Sequence, residues 1–159
     1  MSHVDAVDFG RVAVAFALSF AIGFERELRG SAAGDRTYAL VGTGAAALTA
    51  VTILLSPQAV AGAITGIGFI GAGLVFREGV RNIRGITSAA CIFAVAALGV
   101  VAGAGHLLLA LLVAVLILVD LEIRNIPFLN RLDARRYEGK LRDDLARPMG
   151  MGPEDGRSL

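Results

Sequence analysis

Long apolar stretches alternate with short polar gaps along the first 123 residues of the chain. Each stretch is close to the ~20 residues that a helix needs to cross the hydrocarbon core of a bilayer. The second and third stretches carry no charged residue and no polar stripe at helical period, which a soluble helix would need. The pattern predicts an all-α, polytopic membrane bundle of five transmembrane helices. The five stretches cover residues 9–24, 38–55, 59–76, 86–104 and 107–123.

Composition supports this class of protein. Hydrophobic residues make up 55% of the chain and charged residues 18%. The first stretch is predicted to be a retained helix rather than a signal peptide, because residues 1–8 contain no Lys or Arg and further apolar stretches follow. Cys91 is the single cysteine, so we expect it to pack as a small apolar residue without an intramolecular disulfide.

The basic residues in the short gaps predict the orientation of the helices. Arginines occur in the gaps 25–37 and 77–85 and in the segment after residue 123, whereas the gaps 56–58 and 105–106 contain no Lys or Arg. This alternation predicts that the N-terminus lies outside and the C-terminus in the cytoplasm. Arg11 is the exception on the outer side, near enough to a helix end to reach the interface.

Three segments are expected along the chain. Residues 1–123 form the transmembrane domain. Residues 124–147 place apolar side chains on one face among basic ones, which is typical of an amphipathic helix on an anionic membrane surface. Residues 148–159, rich in Gly and Pro, are expected to be disordered.

Glycines are concentrated in the third stretch, and small residues let helices approach closely in lipid. We expect this stretch to lie at the centre, against the second and fourth, with the bulky fifth stretch outermost. Residues 66–71 also fit G-x-G-x-x-G, but they follow no strand, so nucleotide binding is rejected. Two interpretations stay open: glycines for helix packing, or a locally unwound helix that offers an ion path. The glycines concerned are Gly62, Gly66, Gly68, Gly71 and Gly73.

The charged gaps 25–37 and 77–85 join neighbouring helix ends and therefore meet on one face of the bundle. One interpretation is solvated anchoring residues with weak local ion pairs. The other is a specific polar network, since the planar guanidinium of arginine binds carboxylate or phosphate through two hydrogen bonds. The residues predicted for this network, on the cytoplasmic face, are Glu25, Arg26, Arg29, Asp35, Arg36, Thr37, Arg77, Glu78, Arg84 and Thr87.

Two motifs in this order resemble those of the MgtC/SapB family. Residues 23–37 read GFERELRGSAAGDRT, residues 66–73 read GIGFIGAG, and residues 77–90 read REGVRNIRGITSAA. The resemblance covers about residues 10–123. The positions that match family residues are Glu25, Arg26, Arg29, Gly34, Arg36, Thr37, Gly66, Gly68, Gly71, Gly73, Arg84, Gly85 and Thr87.

The resemblance implies a bacterial inner-membrane protein linked to growth under magnesium limitation, stress adaptation such as acid tolerance, and virulence. Some family members are described as inhibitors of the proton-translocating ATP synthase, others as regulators of magnesium or phosphate uptake. The chain departs from the family at Asp35, a position commonly apolar in relatives, which adds an ion-pair partner for a neighbouring arginine. We also expect no folded cytoplasmic domain after residue 123, so functions assigned to that domain in longer relatives are not carried over.

Two classes of function follow. The first is a non-enzymatic regulator that binds another membrane complex, such as ATP synthase or an ion or phosphate transporter. The second is a transporter or channel for magnesium or another cation, acting as an oligomer, with Asp120 as the candidate metal residue, since intramembrane carboxylates are costly and usually functional. Asp120 lies closer to the hydrocarbon than Glu122 and is the better candidate for burial; its carboxylate either reaches the interface or pairs with an arginine of the charged gaps, or else forms an intramembrane cation or proton site. The lipid bilayer and a second copy of the chain, in a homodimer, are further expected partners. We expect no enzyme activity and no nucleic-acid partner. No cofactor is certain, and magnesium is the candidate.

Overall fold

The computed structural model describes residues 3–52, 56–76 and 85–123, and all regular structure in these ranges is helical. The all-α, five-helix architecture is confirmed. By length and composition, α1, α3 and α4 can each cross a membrane. The segments predicted at 124–147 and 148–159 lie outside the described residues. The helices are α1 His3–Leu28, α2 Asp35–Thr52, α3 Pro57–Phe76, α4 Ile86–Gly103 and α5 Leu107–Glu122.

Two helices end in the same glycine-based cap. Gly30, with φ of 64°, follows α1, and the N–H groups of Gly30 and Ser31 donate to the carbonyls of Glu27 and Arg26 at 2.9 and 3.0 Å. Gly105, with φ of 92°, plays the same part after α4. Both are Schellman motifs, in which glycine adopts the left-handed conformation at low steric cost and the last carbonyls of the helix are satisfied.

The centre of the bundle is formed by α2 and α4. The buried positions of α2 recur every three or four residues, so one stripe of this helix is enclosed. α1 and α4 pack against α2, and α3 packs against α4 and, less closely, α2. Nine residues of α4 are buried, which makes it a central helix. The buried residues of α2 are Tyr38, Ala39, Gly42, Ala45, Ala46 and Thr49.

Glycines set the distance between α2 and α4. A Cβ atom built on Gly99 would collide with the Gly42 carbonyl oxygen and lie 3.0 Å from the Ala45 Cβ. One turn further, a Cβ on Gly103 would collide with the Ala46 carbonyl oxygen. The helices thus approach backbone to backbone over two turns, the arrangement that small residues four apart allow in membranes.

The predicted central position of the third stretch is wrong. Among the residues of α3 whose burial is described, Gly71 alone is buried, and its nearest neighbour outside the helix is Ala89 of α4, 3.6 Å from a Cβ built at this position. The other four glycines of α3 have no atom within 4 Å of such a Cβ, and Phe69 is 83% exposed. Glycine permits a close approach but does not select the partner helix. α2 and α4 combine small residues with enclosed Tyr38 and Leu98, which bury more apolar area.

The backbone of α3 is helical throughout. It is continuous from Pro57 to Phe76, so the local unwinding considered from the sequence is not present, while the role of the α3 glycines stays a prediction.

α5 follows the sequence expectation for an outer helix. Its buried residues are Ala110 and Ala114, while bulky residues such as Leu108 and Leu116 are exposed.

Candidate functional site

Polar side chains gather where α1 ends and where α2 and α4 begin. The 29–34 loop joins α1 to α2 at this end, and Gly85 precedes α4 there. Gly23 of α1 brings the two helices together, because a Cβ at this position would lie 2.8 Å from the Tyr38 Cβ and 2.7 Å from the Asp35 Cα. We call six residues at this end the polar cluster: Glu25, Arg26, Arg29, Ser31, Tyr38 and Ser88.

The last turns of α1 supply the charged part of the polar cluster. The side chains of Glu25 and Arg26 are each only 14% exposed. Glu25 forms a close ion pair with the Nε atom of Arg29, one helical turn later, as oppositely charged residues four apart do. Arg26 is paired more loosely, with 3.8 Å between its Nη1 atom and Glu25 Oε2. Within the described part of the chain, the buried Arg26 Nε atom has no hydrogen-bond partner.

Hydroxyl groups tie the loop to α2 and α4. The Oγ atoms of Ser31 and Ser88 are 2.8 Å apart, and the fully buried Tyr38 donates its hydroxyl proton to the Ser88 carbonyl at 3.3 Å. The Arg26 guanidinium acts electrostatically on the same Tyr38 hydroxyl, which also interacts with the Cys91 thiol. The cluster therefore spans α1, the 29–34 loop, α2 and α4, and it includes one largely buried cation, Arg26.

A second polar group caps the N-terminus of α2. The Glu27 carboxylate accepts a hydrogen bond from the Asp35 N–H at 3.1 Å, and Asp35 Oδ1 accepts from the Arg36 N–H at 2.5 Å. Carboxylates at this end of a helix satisfy free N–H groups and are favoured by the helix dipole. Gly34 leaves room for the Glu27 carboxylate. Glu27, Gly34, Asp35, Arg36 and Thr37 line an open cavity of about 320 Å³.

The structure brings part of the predicted network together. Glu25 and Arg26 form its largely buried part, Arg29 is exposed and pairs with Glu25, and Asp35, Arg36 and Thr37 line the cavity. The Arg36 side chain is exposed, and no ion pair to it occurs among the described residues. Thr87 is exposed on the first turn of α4. Arg77, Glu78 and Arg84 lie outside the described residues, so their part in the network stays a prediction.

Sequence reasoning missed Glu27, Ser31, Tyr38 and Ser88. One signal was present: Tyr38 begins an apolar stretch next to a charged gap, and a tyrosine at such a boundary usually has a partner for its hydroxyl. Ser31 and Ser88 are 57 positions apart and resemble ordinary loop and helix-start serines. Their pairing depends on how α1, α2 and α4 meet, which local sequence does not encode.

Asp120 lies near the end of α5 and is exposed rather than buried. A position at the outer surface of the last helical turn lets the carboxylate reach solvent. In residues 3–52, 56–76 and 85–123, no group of three or more His, Cys, Asp or Glu side chains is arranged to hold a metal ion.

At the opposite end of the bundle, Arg11 of α1 forms a local ion pair. Arg11 donates to Asp8 at 2.9 Å, one turn earlier on α1. Its guanidinium also lies against the α4–α5 turn, 3.0 Å from a Cβ built on Gly105. Arg11, the one basic residue predicted on the outer side, is thus neutralised by a neighbouring carboxylate.

The fold and the site define an α-helical membrane protein with a closely packed apolar centre and a polar cluster at one end. The model of the MgtC family matches residues 12–126, and the chain belongs to this family. It is 48% identical over 99 residues to Protein MgtC of Brucella abortus (strain 2308), covering 59% of this chain and 41% of that protein. It is 42% identical over 108 residues to Protein MgtC of Salmonella typhimurium (strain LT2), covering 65% and 46%.

The chain thus matches less than half the length of these curated relatives. No solved structure matches the chain significantly. The matched family region contains α2, α3, α4, α5 and most of α1, and therefore the whole polar cluster.

Proposed function

We propose that this protein is a non-enzymatic regulator in the bacterial inner membrane, linked to magnesium limitation or stress, that acts by binding another membrane complex. ATP synthase and ion or phosphate transporters are the candidate partners. The N-terminus lies outside, and the polar cluster faces the cytoplasm. Membership of the MgtC family supports the link to magnesium, and the arginine-bearing gaps support the orientation.

The observation that carries the proposal is the direct backbone contact at the centre of the bundle. Gly99 and Gly103 of α4 lie against the carbonyl oxygens of Gly42 and Ala46 in α2, so this interface leaves no space for a hydrated ion. Magnesium retains several waters and favours carboxylate ligands. By contrast, α1, α3 and α5 present large apolar side chains outward, among them Phe24, and these faces are available to lipid or to a partner helix.

The second candidate is a cation transporter that acts as an oligomer. Glu27 and Asp35 favour it, because both carboxylates line the open cavity at the charged end and could attract a hydrated cation. An ion path would then run between copies of the chain, along the glycine-bearing face of α3 that is open in the single chain.

Magnesium flux into proteoliposomes that contain the purified protein distinguishes the two candidates. The regulator predicts dye signals equal to those of empty liposomes, for the wild type and for Glu27→Gln alike. Asp120→Asn is measured alongside, because Asp120 is the carboxylate that the sequence names as the candidate metal residue. Flux above the empty-liposome level that falls in Glu27→Gln would overturn the regulator proposal.

The partner itself is tested by crosslinking in native membranes. A photoreactive residue at Phe24 or Leu116, both exposed and apolar, is expected to capture a defined membrane protein, whereas one at the buried Ile92 captures only this chain. If none of these positions yields a heterologous product, partner binding through the outward faces is wrong.

A further inference from the structure

The structure points to a ligand for the polar cluster: we propose that Arg26, together with the hydroxyls of Ser31, Tyr38 and Ser88, binds the phosphate group of a small molecule or lipid. This inference goes beyond the proposed partner-binding function and does not depend on it. It concerns the chemistry of one buried cation and of the donors around it.

The first argument is the incomplete pairing of Arg26. Its side chain is 14% exposed, but its distance to the Glu25 carboxylate is 3.8 Å, longer than a hydrogen bond. Glu25 is already engaged by Arg29. A buried charge is stable when it is both paired and hydrogen-bonded. Arg26 Nε, buried and without an acceptor, is therefore suited to an additional anionic partner.

The second argument is the number of donors around Arg26. The guanidinium of Arg26 has five N–H donors and no acceptor, and each hydroxyl adds one more donor. The hydroxyls of Ser31 and Ser88 share a hydrogen bond that uses one of their two protons. Tyr38 donates over a long 3.3 Å distance to a carbonyl. A phosphate group, which accepts through several oxygens and pairs with arginine through two of them, complements this set.

The third argument is the position of the 29–34 loop. Ser31 belongs to this loop, and Ala33 beside it is 4% exposed, so the loop closes over the start of α2. The Ser31–Ser88 hydrogen bond links it to α4. A phosphate that replaces this single bond by bonds to both hydroxyls retains the connection while satisfying Arg26. Binding is thus expected to hold the loop in place.

The test measures binding of radiolabelled orthophosphate to the full-length protein, purified in detergent without phosphate, by equilibrium dialysis. The wild type is expected to bind saturably, and Arg26→Gln to bind at least about tenfold more weakly, which corresponds to the loss of roughly one charge-assisted hydrogen bond. Arg36→Gln is the matched control, because it removes an exposed arginine from the same end and should change affinity less than about twofold.

Two further variants keep the test decisive if Arg26→Gln does not fold, as judged by circular dichroism. Arg26→Lys keeps the charge but removes the Nε donor, and Ser88→Ala removes one hydroxyl; both should weaken binding.

Short-chain phosphatidic acid, added as a competitor, distinguishes the source of the phosphate group. If it displaces the label at a lower concentration than unlabelled orthophosphate does, the ligand is a lipid headgroup. If it displaces no label, the ligand is free phosphate. Absence of saturable binding of either probe, or equal losses in the Arg26 and Arg36 variants, would overturn the proposal.

Discussion

Gly42 of α2 lies directly against Ser19 of α1. A Cβ atom built on Gly42 would be 2.7 Å from the Ser19 Cβ and 3.3 Å from a methyl group of Val95 in α4. Ser19 is fully buried. Three helices therefore meet at a position where only a hydrogen atom fits, and this contact fixes the separation of α1, α2 and α4 in the middle of the bundle.

Gly42→Val should destabilise the protein. The added methyl groups would meet α1 on one side and α4 on the other, and overpacking of this kind costs about 1–3 kcal/mol. The measurement is the midpoint of unfolding by SDS in mixed micelles, followed by circular dichroism. Gly44→Val is the matched control, two residues away on the same helix, where a Cβ meets nothing within 4 Å. Equal midpoints for the two variants would contradict the three-helix contact.

Substitution of glycines in α4 should destabilise the protein far more than substitution of glycines in α3. Gly103→Ala places a Cβ 2.9 Å from the Thr49 Cβ and against a backbone carbonyl, and backbone cannot move aside as a side chain can. Gly66→Ala adds a methyl group in open space and raises helix propensity. In the same SDS assay we expect Gly103→Ala to lower the midpoint and Gly66→Ala to leave it unchanged or raise it. If only Gly66→Ala lowered the midpoint, the structural assignment would be wrong and α3 would be the central helix, as predicted for the third stretch.

The sequence predicts the number and type of helices because the length of an apolar stretch is a local property of the chain. α1, α3 and α4 follow from runs of apolar residues between charged gaps, and the glycines at residues 30 and 105 mark helix ends. The order of burial does not follow in the same way. Gly62 and Gly66 have the same spacing as Gly99 and Gly103, yet only the latter pair contacts a neighbouring helix.

Part of the candidate site was likewise predictable from the sequence. Glu25, Arg26 and Arg29 stand four positions apart or closer, so helical geometry alone places them together. The Ser31–Ser88 contact could not be inferred, because it depends on α4 packing beside the end of α1. For Asp120 the sequence left both burial and reach to the interface open, because a carboxylate beside an apolar run can do either; its position on the last turn of α5 leaves it exposed.

Cysteine labelling tests the orientation assigned under the proposed function. Ala32 in the 29–34 loop and Gln58 at the start of α3 are both exposed and lie at opposite ends of the bundle. A membrane-impermeant maleimide should label Gln58→Cys in intact spheroplasts and Ala32→Cys only after permeabilisation. Cys91 is buried, so it should contribute little background. Labelling of Ala32→Cys in intact spheroplasts would reverse the assignment.

The link between the 29–34 loop and α4 should be trapped by a disulfide. The Ser31 and Ser88 Oγ atoms are 2.8 Å apart, so cysteines at both positions should have Cβ atoms within the roughly 3.5–4.5 Å that a disulfide requires. In a Cys91→Ala background, which removes the neighbouring thiol, mild oxidation of Ser31→Cys/Ser88→Cys should give a crosslinked peptide by mass spectrometry in high yield.

The control pair for this crosslink is Ala32→Cys/Ser88→Cys. Ala32 is exposed, so its side chain is directed away from the cluster and its yield should be several times lower. Equal yields for both pairs would show that the loop moves freely over α4, and the hydrogen bond that closes it would then have no role in holding the site.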